Sequence, residues 1–389
     1  MSRRICVVTG SRADYGHLQP VMATMKNDPA LALQVIVCGQ HLDPRFGETW
    51  HAIAADGFTI DGRVDLALDD DTPLAVAEST GRAVTGIARE LSRLAPDIVL
   101  VLGDRYEILA AGVAALLLNI PIAHIHGGEI TEGAVDDAMR HALSKMAALH
   151  FVAAEPYRKR LLQMGEDPAR VMLSGAPGLD QIDAVVPMTP QTMAADLGIE
   201  VAGTLFLITY HPVTLQADGG IAGLSTLLRA LALYPDTAMI FTGVNSDPGH
   251  RALRDQVAAF VGANPRRHVA VKSLGQPRYL SAMKAANVVI GNSSSGLIEA
   301  PALHIPSVNI GDRQKGRLRS DSVIDCREDE SAIRAAIDRA LDPAFHTVAA
   351  ASPPAYGGGG AAQRIVNALK AAPLTQLSGK RFHDIILPT

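Results

Sequence analysis

The feature that most constrains this chain is a series of short, apolar, β-rich segments separated by longer stretches of helical patterning, a series that runs through once and then starts again. The first set comprises residues 4–8, 33–38, 97–102, 120–125, 150–153 and 171–174; the second comprises residues 205–209, 238–242, 268–272, 288–291 and 307–310. Strands that alternate with helices form a parallel sheet covered on both faces. Two such series, separated near the proline-bounded stretch 187–190, specify an α/β protein of two Rossmann-like domains facing a cleft. The expected extents are residues 1–180 and 190–371. A length of 389 residues suits two domains of ~100–200 residues each. Four glycines at 357–360 read as a flexible turn before a last helix at 361–371. The tail, at about 372–389, is expected to form a helix that packs back on the first domain.

Two cores need apolar material, and 48% of the residues are hydrophobic. A net charge of −5 provides no cationic field for nucleic acid or an anionic membrane, so neither is an expected partner and an anionic ligand must be met by local groups. The longest apolar stretch, residues 108–123, contains Asn119 and Pro121. It falls short of the ~20 residues of a membrane span and reads as a buried helix followed by a strand. Cys6, Cys38 and Cys326 are an odd set without metal-ligand spacing, and no signal-peptide core follows Arg3 and Arg4. Free thiols and a cytoplasmic location are the expectation.

In an open parallel sheet, ligands sit beyond the carboxyl ends of the strands. The residues there are unusually polar. Gly291-Asn-Ser-Ser-Ser-Gly296 follows a strand and precedes helical pattern, which suits a diphosphate at a helix N-terminus; capping by Asn292 or Ser293 is the plainer use. Glu299 is placed to accept from ribose hydroxyls, or else is a solvated helix carboxylate. Arg313 follows another strand and can pair with phosphate, while Lys315, Arg317 and Arg319 fit a solvated loop equally well. Asp104 directly follows residues 98–102, positioned for acid–base chemistry or for capping a helix. His124 and His126 share one face of a strand; His126, at its end, is the functional candidate and His124 the core one. Asp136 with Arg140 and Asp137 with His141 have i,i+4 helical spacing, which alone describes surface ion pairs. Following Glu129 so closely, they make a dense group of titratable side chains.

Taken in order, Gly10-Ser-Arg-Ala-Asp-Tyr15, Gly103-Asp-Arg-Tyr-Glu-Ile108, His124-Ile-His-Gly-Gly-Glu129, Asp137 to His141, Tyr210-His-Pro212, Gly291 to Gly296 and Asn309-Ile-Gly-Asp-Arg-Gln314 resemble the motifs of the hydrolysing UDP-N-acetylglucosamine 2-epimerases of sialic- and legionaminic-acid-type sugar synthesis. The resemblance spans residues 4 to about 325. It implies a GT-B-like fold, a homodimer or homotetramer, a UDP-sugar substrate, no metal or redox cofactor, and a nucleotide site mostly on the second domain. By position, Arg12, Arg105, His211, Asn245, Ser293, Ser294, Glu299 and Arg313 would contact UDP, with Ser295 and Gly296 in the same run. Asp104 and Asp136 fall on the family's catalytic carboxylates, and His211 joins the catalytic candidates. Many members have a catalytic glutamate where this chain has His126, so that role passes to His126 or Glu129. The implied substrate is UDP-N-acetylglucosamine, with UDP-N,N′-diacetylbacillosamine as the alternative. Further alternatives are a non-hydrolysing epimerase, a GT-B glycosyltransferase and a non-catalytic binding protein.

Overall fold

The computed structural model describes residues 2–68, 70, 72–132, 134–182, 188–201, 203–213, 218–243 and 250–385. It divides into two compact units. One comprises the chain up to Glu129, Asp136–Asp180 and the chain from Tyr356 on; the other comprises Ile130–Val135 and Gln181–Ala355.

The first unit is built on β1 (Arg3–Thr9), β2 (Leu31–Cys38), β3 (Gly62–Val64), β4 (Ile98–Leu102), β5 (Ile122–Ile125), β6 (Leu149–Val152) and β7 (Val171–Leu173), in the order β3-β2-β1-β4-β5-β6-β7. All pairs are parallel. The second unit holds β8 (Leu205–Thr209), β9 (Ala238–Thr242), β10 (His268–Val271), β11 (Val288–Gly291), β12 (Ser307–Ile310) and β13 (Val323–Cys326), in the order β10-β9-β8-β11-β12-β13, again all parallel.

The two-residue period of a strand explains why the strands read as continuous apolar runs. Ile5 and Val7 enter one buried cluster of the first unit, while Cys6 and Val8 enter the cluster on the opposite face. Phe206 and Ile208 are likewise divided from Leu205 and Leu207. Both faces are buried, so most strand positions are apolar. Every segment anticipated as a strand forms one. The two strands not anticipated, β3 and β13, lie at sheet edges.

Strand order reverses between β1 and β4 in the first sheet and between β8 and β11 in the second. These are the topological switch points, where the loops leaving the strands diverge and open a place for a ligand. The loops concerned begin at Gly10, Gly103, Tyr210 and Asn292.

Two domain expectations need correction. The helix Ala361–Ala371, expected in the second domain, belongs to the first unit. Its Ile365, Val366 and Leu369 are fully buried in the cluster that contains Leu18 and Met22, and each such side chain contributes ~1.5–3 kcal/mol by leaving water. Asp180 fixes its start, accepting from the backbone N–H of Ala361 and Ala362 at 2.9 and 2.6 Å. The tail is not one helix either: it contains a single turn, Leu374–Leu377, and is non-helical from there through residue 385.

Candidate active site

In the first unit the pairing of Leu102 with Ile125 brings the ends of β4 and β5 side by side, so Asp104 and His126 leave neighbouring strands ~4.8 Å apart. Asp104 is not the helix cap. Arg105 occupies that position before the helix Tyr106–Leu117, and Asp104 accepts a charge-assisted hydrogen bond from Arg140 Nη2. Arg140 is itself fully buried. A buried guanidinium requires an anionic partner, and this pairing favours an ionised Asp104.

His126 has φ +65°, a left-handed conformation uncommon for any residue but glycine and found where surrounding structure enforces it. Gly128, at φ +76°, follows it; a Cβ there would lie 2.5 Å from the carbonyl oxygen of Tyr157. The tight turn brings Glu129 Oε1 within 2.6 Å of His126 Nδ1. Both residues are buried. Glu129 as a carboxylate accepts, so the Nδ1–H of His126 donates to it and fixes the ring orientation.

His124 behaves differently. Its Nε2 lies 2.7 Å from Gly103 O, which only accepts, so Nε2 is protonated; Nδ1, 3.1 Å from Ser144 Oγ, then accepts from that hydroxyl. Burial lowers its pKa to about 3. It is a neutral core histidine.

Asp136 opens the helix Asp136–Met146, and the pair Asp137–His141 stands at 3.6 Å with both partners partly exposed. Burial lowers the pKa of His141 despite Asp137. On the β1 side, Asp14 accepts from the N–H of Gly10 and Ser11 at 2.8 and 3.2 Å and completes a capping box with Ser11. Arg12, the first residue of the helix Arg12–Lys26, has its Nε buried without a hydrogen-bond partner among the described residues. Burial pushes its pKa down against the pull of Tyr15 and Asp56. Arg105 Nε donates to Glu107 Oε1 at 2.6 Å; Glu107 is fully buried, and burial raises its pKa despite Arg105.

The second unit gathers mostly neutral groups, with Glu299 and Arg313 buried among them. Gly291, at φ +139°, lies so close to Thr209 that a Cβ would stand 1.9 Å from its carbonyl oxygen. Asn292 does not cap a helix: its Oδ1 accepts from His211 N at 2.7 Å and its Nδ2 donates to His211 O at 2.9 Å, which ties the loop after β11 to the loop after β8. Ser293 caps only a 3₁₀ turn, Ser294–Gly296, and the α-helix after it, Glu299–Ala302, is a single turn. The helix N-terminus expected after this loop thus amounts to a 3₁₀ turn and one α-helical turn. What the loop offers is hydroxyls, with Ser295 Oγ 2.6 Å from Tyr279 Oη and 3.1 Å from Ser293 Oγ. Glu299 is buried and so is not a solvated helix carboxylate. Arg313 is buried as a strut: Nε donates to Pro212 O at 3.3 Å and Nη1 to Asn292 O at 3.2 Å. Asn245 lies outside the described residues.

Arg317 Nη2 donates to Thr131 Oγ1 at 3.2 Å, Lys315 pairs with Glu132 at 3.3 Å and Arg319 pairs with Asp325 at 3.0 Å. The basic run is thus engaged within its own unit. Sequence reasoning did not give Arg140 its partner or Gln314 a role; Gln314 Nε2 donates to Asn292 O at 2.8 Å. A signal for Arg140 was present: with Leu143, Ser144 and Ala147 it follows the i, i+3, i+4, i+7 spacing of a buried helix face, so its charge had to meet a partner inside. Among the described residues no group of three or more His, Cys, Asp or Glu side chains is arranged to hold a metal ion, and no helix is long and apolar enough to cross a membrane.

Two doubly wound parallel-sheet units define a GT-B-like fold. Of the solved structures, the UDP-GlcNAc 2-epimerase of Methanocaldococcus jannaschii in complex with UDP-GlcNAc and UDP shares it with a TM-score of 0.79 over 95% of this chain and 100% of that one, at 18% identity. The family model for UDP-N-acetylglucosamine 2-epimerase matches residues 23–370. The chain belongs to that family. It is 38% identical over 83% of its length to the GDP/UDP-N,N′-diacetylbacillosamine 2-epimerase (hydrolyzing) of Campylobacter jejuni, covering 84% of that protein. It is 36% identical over 96% of its length to the UDP-N,N′-diacetylbacillosamine 2-epimerase (hydrolyzing) of Legionella pneumophila, covering 97% of that protein.

Proposed function

We propose that this chain is a hydrolysing 2-epimerase of a UDP-linked 2-acetamido sugar that releases UDP and the free sugar inverted at carbon 2. The names carried by the Campylobacter and Legionella relatives favour UDP-N,N′-diacetylbacillosamine as the substrate over UDP-N-acetylglucosamine. The observation that carries the reading is the pair of acid–base groups at adjacent strand ends: Asp104 held by Arg140, and His126 oriented by Glu129.

The proton on carbon 2 is barely acidic, so its removal needs a second bond to break in the same step. Departure of UDP from carbon 1 meets that need. The C2–H electron pair becomes the C1–C2 double bond of a glycal, and the C1–O pair leaves on the β-phosphate. Water then adds through its oxygen to carbon 1, while a proton is delivered to carbon 2 from the opposite face. Two groups working on opposite faces are required, and Asp104 and His126 are assigned to them. Glu129 is assigned to orienting His126 and stabilising its charged form, in the manner of the carboxylate of a catalytic triad. Asp136 and His211 remain the further catalytic candidates. In the second unit Ser293, Ser294, Ser295, Gly296, Glu299 and Arg313, with His211 and Asn245, are assigned to UDP, and in the first Arg12 and Arg105. A homodimer or homotetramer in the cytoplasm is part of the same proposal.

Turnover of both UDP-sugars in deuterated, oxygen-labelled water tests it. The free sugar should carry deuterium at carbon 2 and the labelled oxygen at carbon 1. A product still bound to UDP would replace this reading with a non-hydrolysing epimerase, and transfer to an added acceptor would replace it with a glycosyltransferase.

A further inference from the structure

Away from the strand-end loops, the described residues of the first unit include a dense group of charges around Glu166. Glu166, buried, receives hydrogen bonds from His150 Nε2 and Lys145 Nζ, each at 2.9 Å, and pairs with Lys380 Nζ at 2.5 Å. Burial opposes the anion, but these donors outweigh it and hold the Glu166 pKa at about 2. Lys380 does more than neutralise Glu166. Its ammonium also donates to the carbonyl oxygens of Ser144, Lys145 and Ala147 at 3.3, 2.8 and 2.8 Å. Ser144 and Lys145 lie in the last turn of the helix Asp136–Met146 and Ala147 directly follows it, where a cation and a donor are both favourable. Phe382 packs against Gly165 and under the Lys145 ammonium, 4.4 Å from its ring centroid, and His383 N donates to Gly165 O at 2.9 Å. Residues 380–383 are thus fastened across the end of this helix.

The helix so held is the one that sets Asp104. Arg140 binds the carboxylate directly. Ser144 donates to His124, which donates to Gly103 O, the carbonyl immediately before Asp104. A shift of the helix along its axis would move both ties together.

We propose that Lys380 is a positioning residue for the Asp104 site, acting through the helix Asp136–Met146. The inference rests on the proposed function only in taking Asp104 as catalytic. A displacement of ~1 Å at a catalytic group can reduce turnover ~100-fold, so a graded loss follows from graded removal of the cap. Arginine keeps charge and donors, glutamine keeps donors alone, and methionine keeps neither.

The test measures kcat and KM for the UDP-sugar, together with amide hydrogen exchange of residues 136–146, in wild type, Lys380→Arg, Lys380→Gln and Lys380→Met. The expected order of kcat is wild type, Arg, Gln, Met, with Met reduced at least ~10-fold and KM within ~3-fold, and with exchange faster in the helix in the reverse order. Lys380→Gln and Lys380→Arg keep the series interpretable should the methionine variant not fold. Faster helix exchange with unchanged kcat would overturn the inference, as would unchanged exchange. A loss that appears in KM alone would also overturn it. A wild-type protein that turns over no UDP-sugar would instead remove the functional reading, and the inference with it, whatever the exchange data show.

Discussion

The two switch points face the same topological problem and are furnished in opposite ways. In the first unit the strand-end loops carry two largely buried ion pairs, Asp104–Arg140 and Arg105–Glu107, and the buried hydrogen bond between His126 and Glu129. In the second unit the corresponding loops are joined by an amide bonded to a backbone, Asn292 to His211, and by Arg313 and Gln314 bonded to carbonyl oxygens. Buried charges that pair with one another set protonation states. Neutral groups and a guanidinium wedged between loops set shape and donor positions. On the proposed function, the first region serves proton transfer and the second serves binding.

Removing a proton-handling group should break that division most visibly. Asp104→Asn and His126→Ala are each expected to lower kcat at least ~100-fold, the usual contribution of a general acid or base, while UDP affinity measured by calorimetry stays within ~3-fold of wild type. Normal turnover in either variant would remove that residue from the chemistry. Glu129→Gln sharpens the point, because an orienting residue should lower the rate without abolishing deuterium entry at carbon 2; complete loss of exchange would make Glu129 the proton carrier.

Next in size is the reverse experiment. Arg313→Ala should weaken UDP by ~1.5–3 kcal/mol, about 10- to 150-fold. Arg313→Lys should recover little of this, since one ammonium cannot reproduce the planar fork that reaches both Pro212 O and Asn292 O. Unchanged affinity in a folded alanine variant would leave Arg313 a purely structural strut.

A smaller effect distinguishes the units by pH. His124 is held neutral with a pKa of about 3, and His41 with one of about 4, both chiefly by burial; both lie in the first unit. Because their folded values lie below the ordinary 6.5, the stability they contribute is present above that pH and is lost as pH falls towards 4 and then 3. Glu166, depressed from 4.5 to about 2, adds a contribution present above about pH 4.5 and lost as pH falls towards 2. Amide exchange followed from pH 7 to 4 should therefore show first-unit protection falling earlier than that of the second. The opposite order would mean that the buried charges of the first unit do not govern its acid response.

Much of this contrast could be read from sequence, because both kinds of loop follow short strands that are mostly apolar. Reading the strands located the loops. What escaped was whatever depends on a partner distant in the chain. The edge strands β3 and β13 are short, and Arg63 and Asp325 within them break the apolar run that marks a central strand. The helix Ala361–Ala371 showed an apolar face but nothing to say which unit would cover it. Asp104 and Arg140 stand 36 positions apart, and local spacing offered Arg140 a nearer partner in Asp136. His126 and Glu129 were both visible, yet only the left-handed backbone at His126 brings them together and gives them separate roles.

The smallest expected effect tests whether density of charge alone makes a site. Asp137 and His141 belong to the same helix as Arg140, and their i,i+4 spacing is the same as that of Asp136 and Arg140. Yet the pair is partly exposed and stands at 3.6 Å, where water competes for both partners and an ion pair contributes only ~0.2–0.5 kcal/mol. Arg140, one position earlier, turns inward and is wholly buried. Asp137→Asn should consequently shift the urea midpoint little and keep kcat within ~2-fold, whereas Arg140→Met should leave the Asp104 carboxylate without its buried cation and lower both stability and rate, breaking a buried pair being strongly destabilising. If Asp137→Asn lowers kcat as far as Asp104→Asn does, the proton-handling region extends along the exposed side of this helix, and the boundary drawn here between buried chemistry and solvated charge has to move outward to include it.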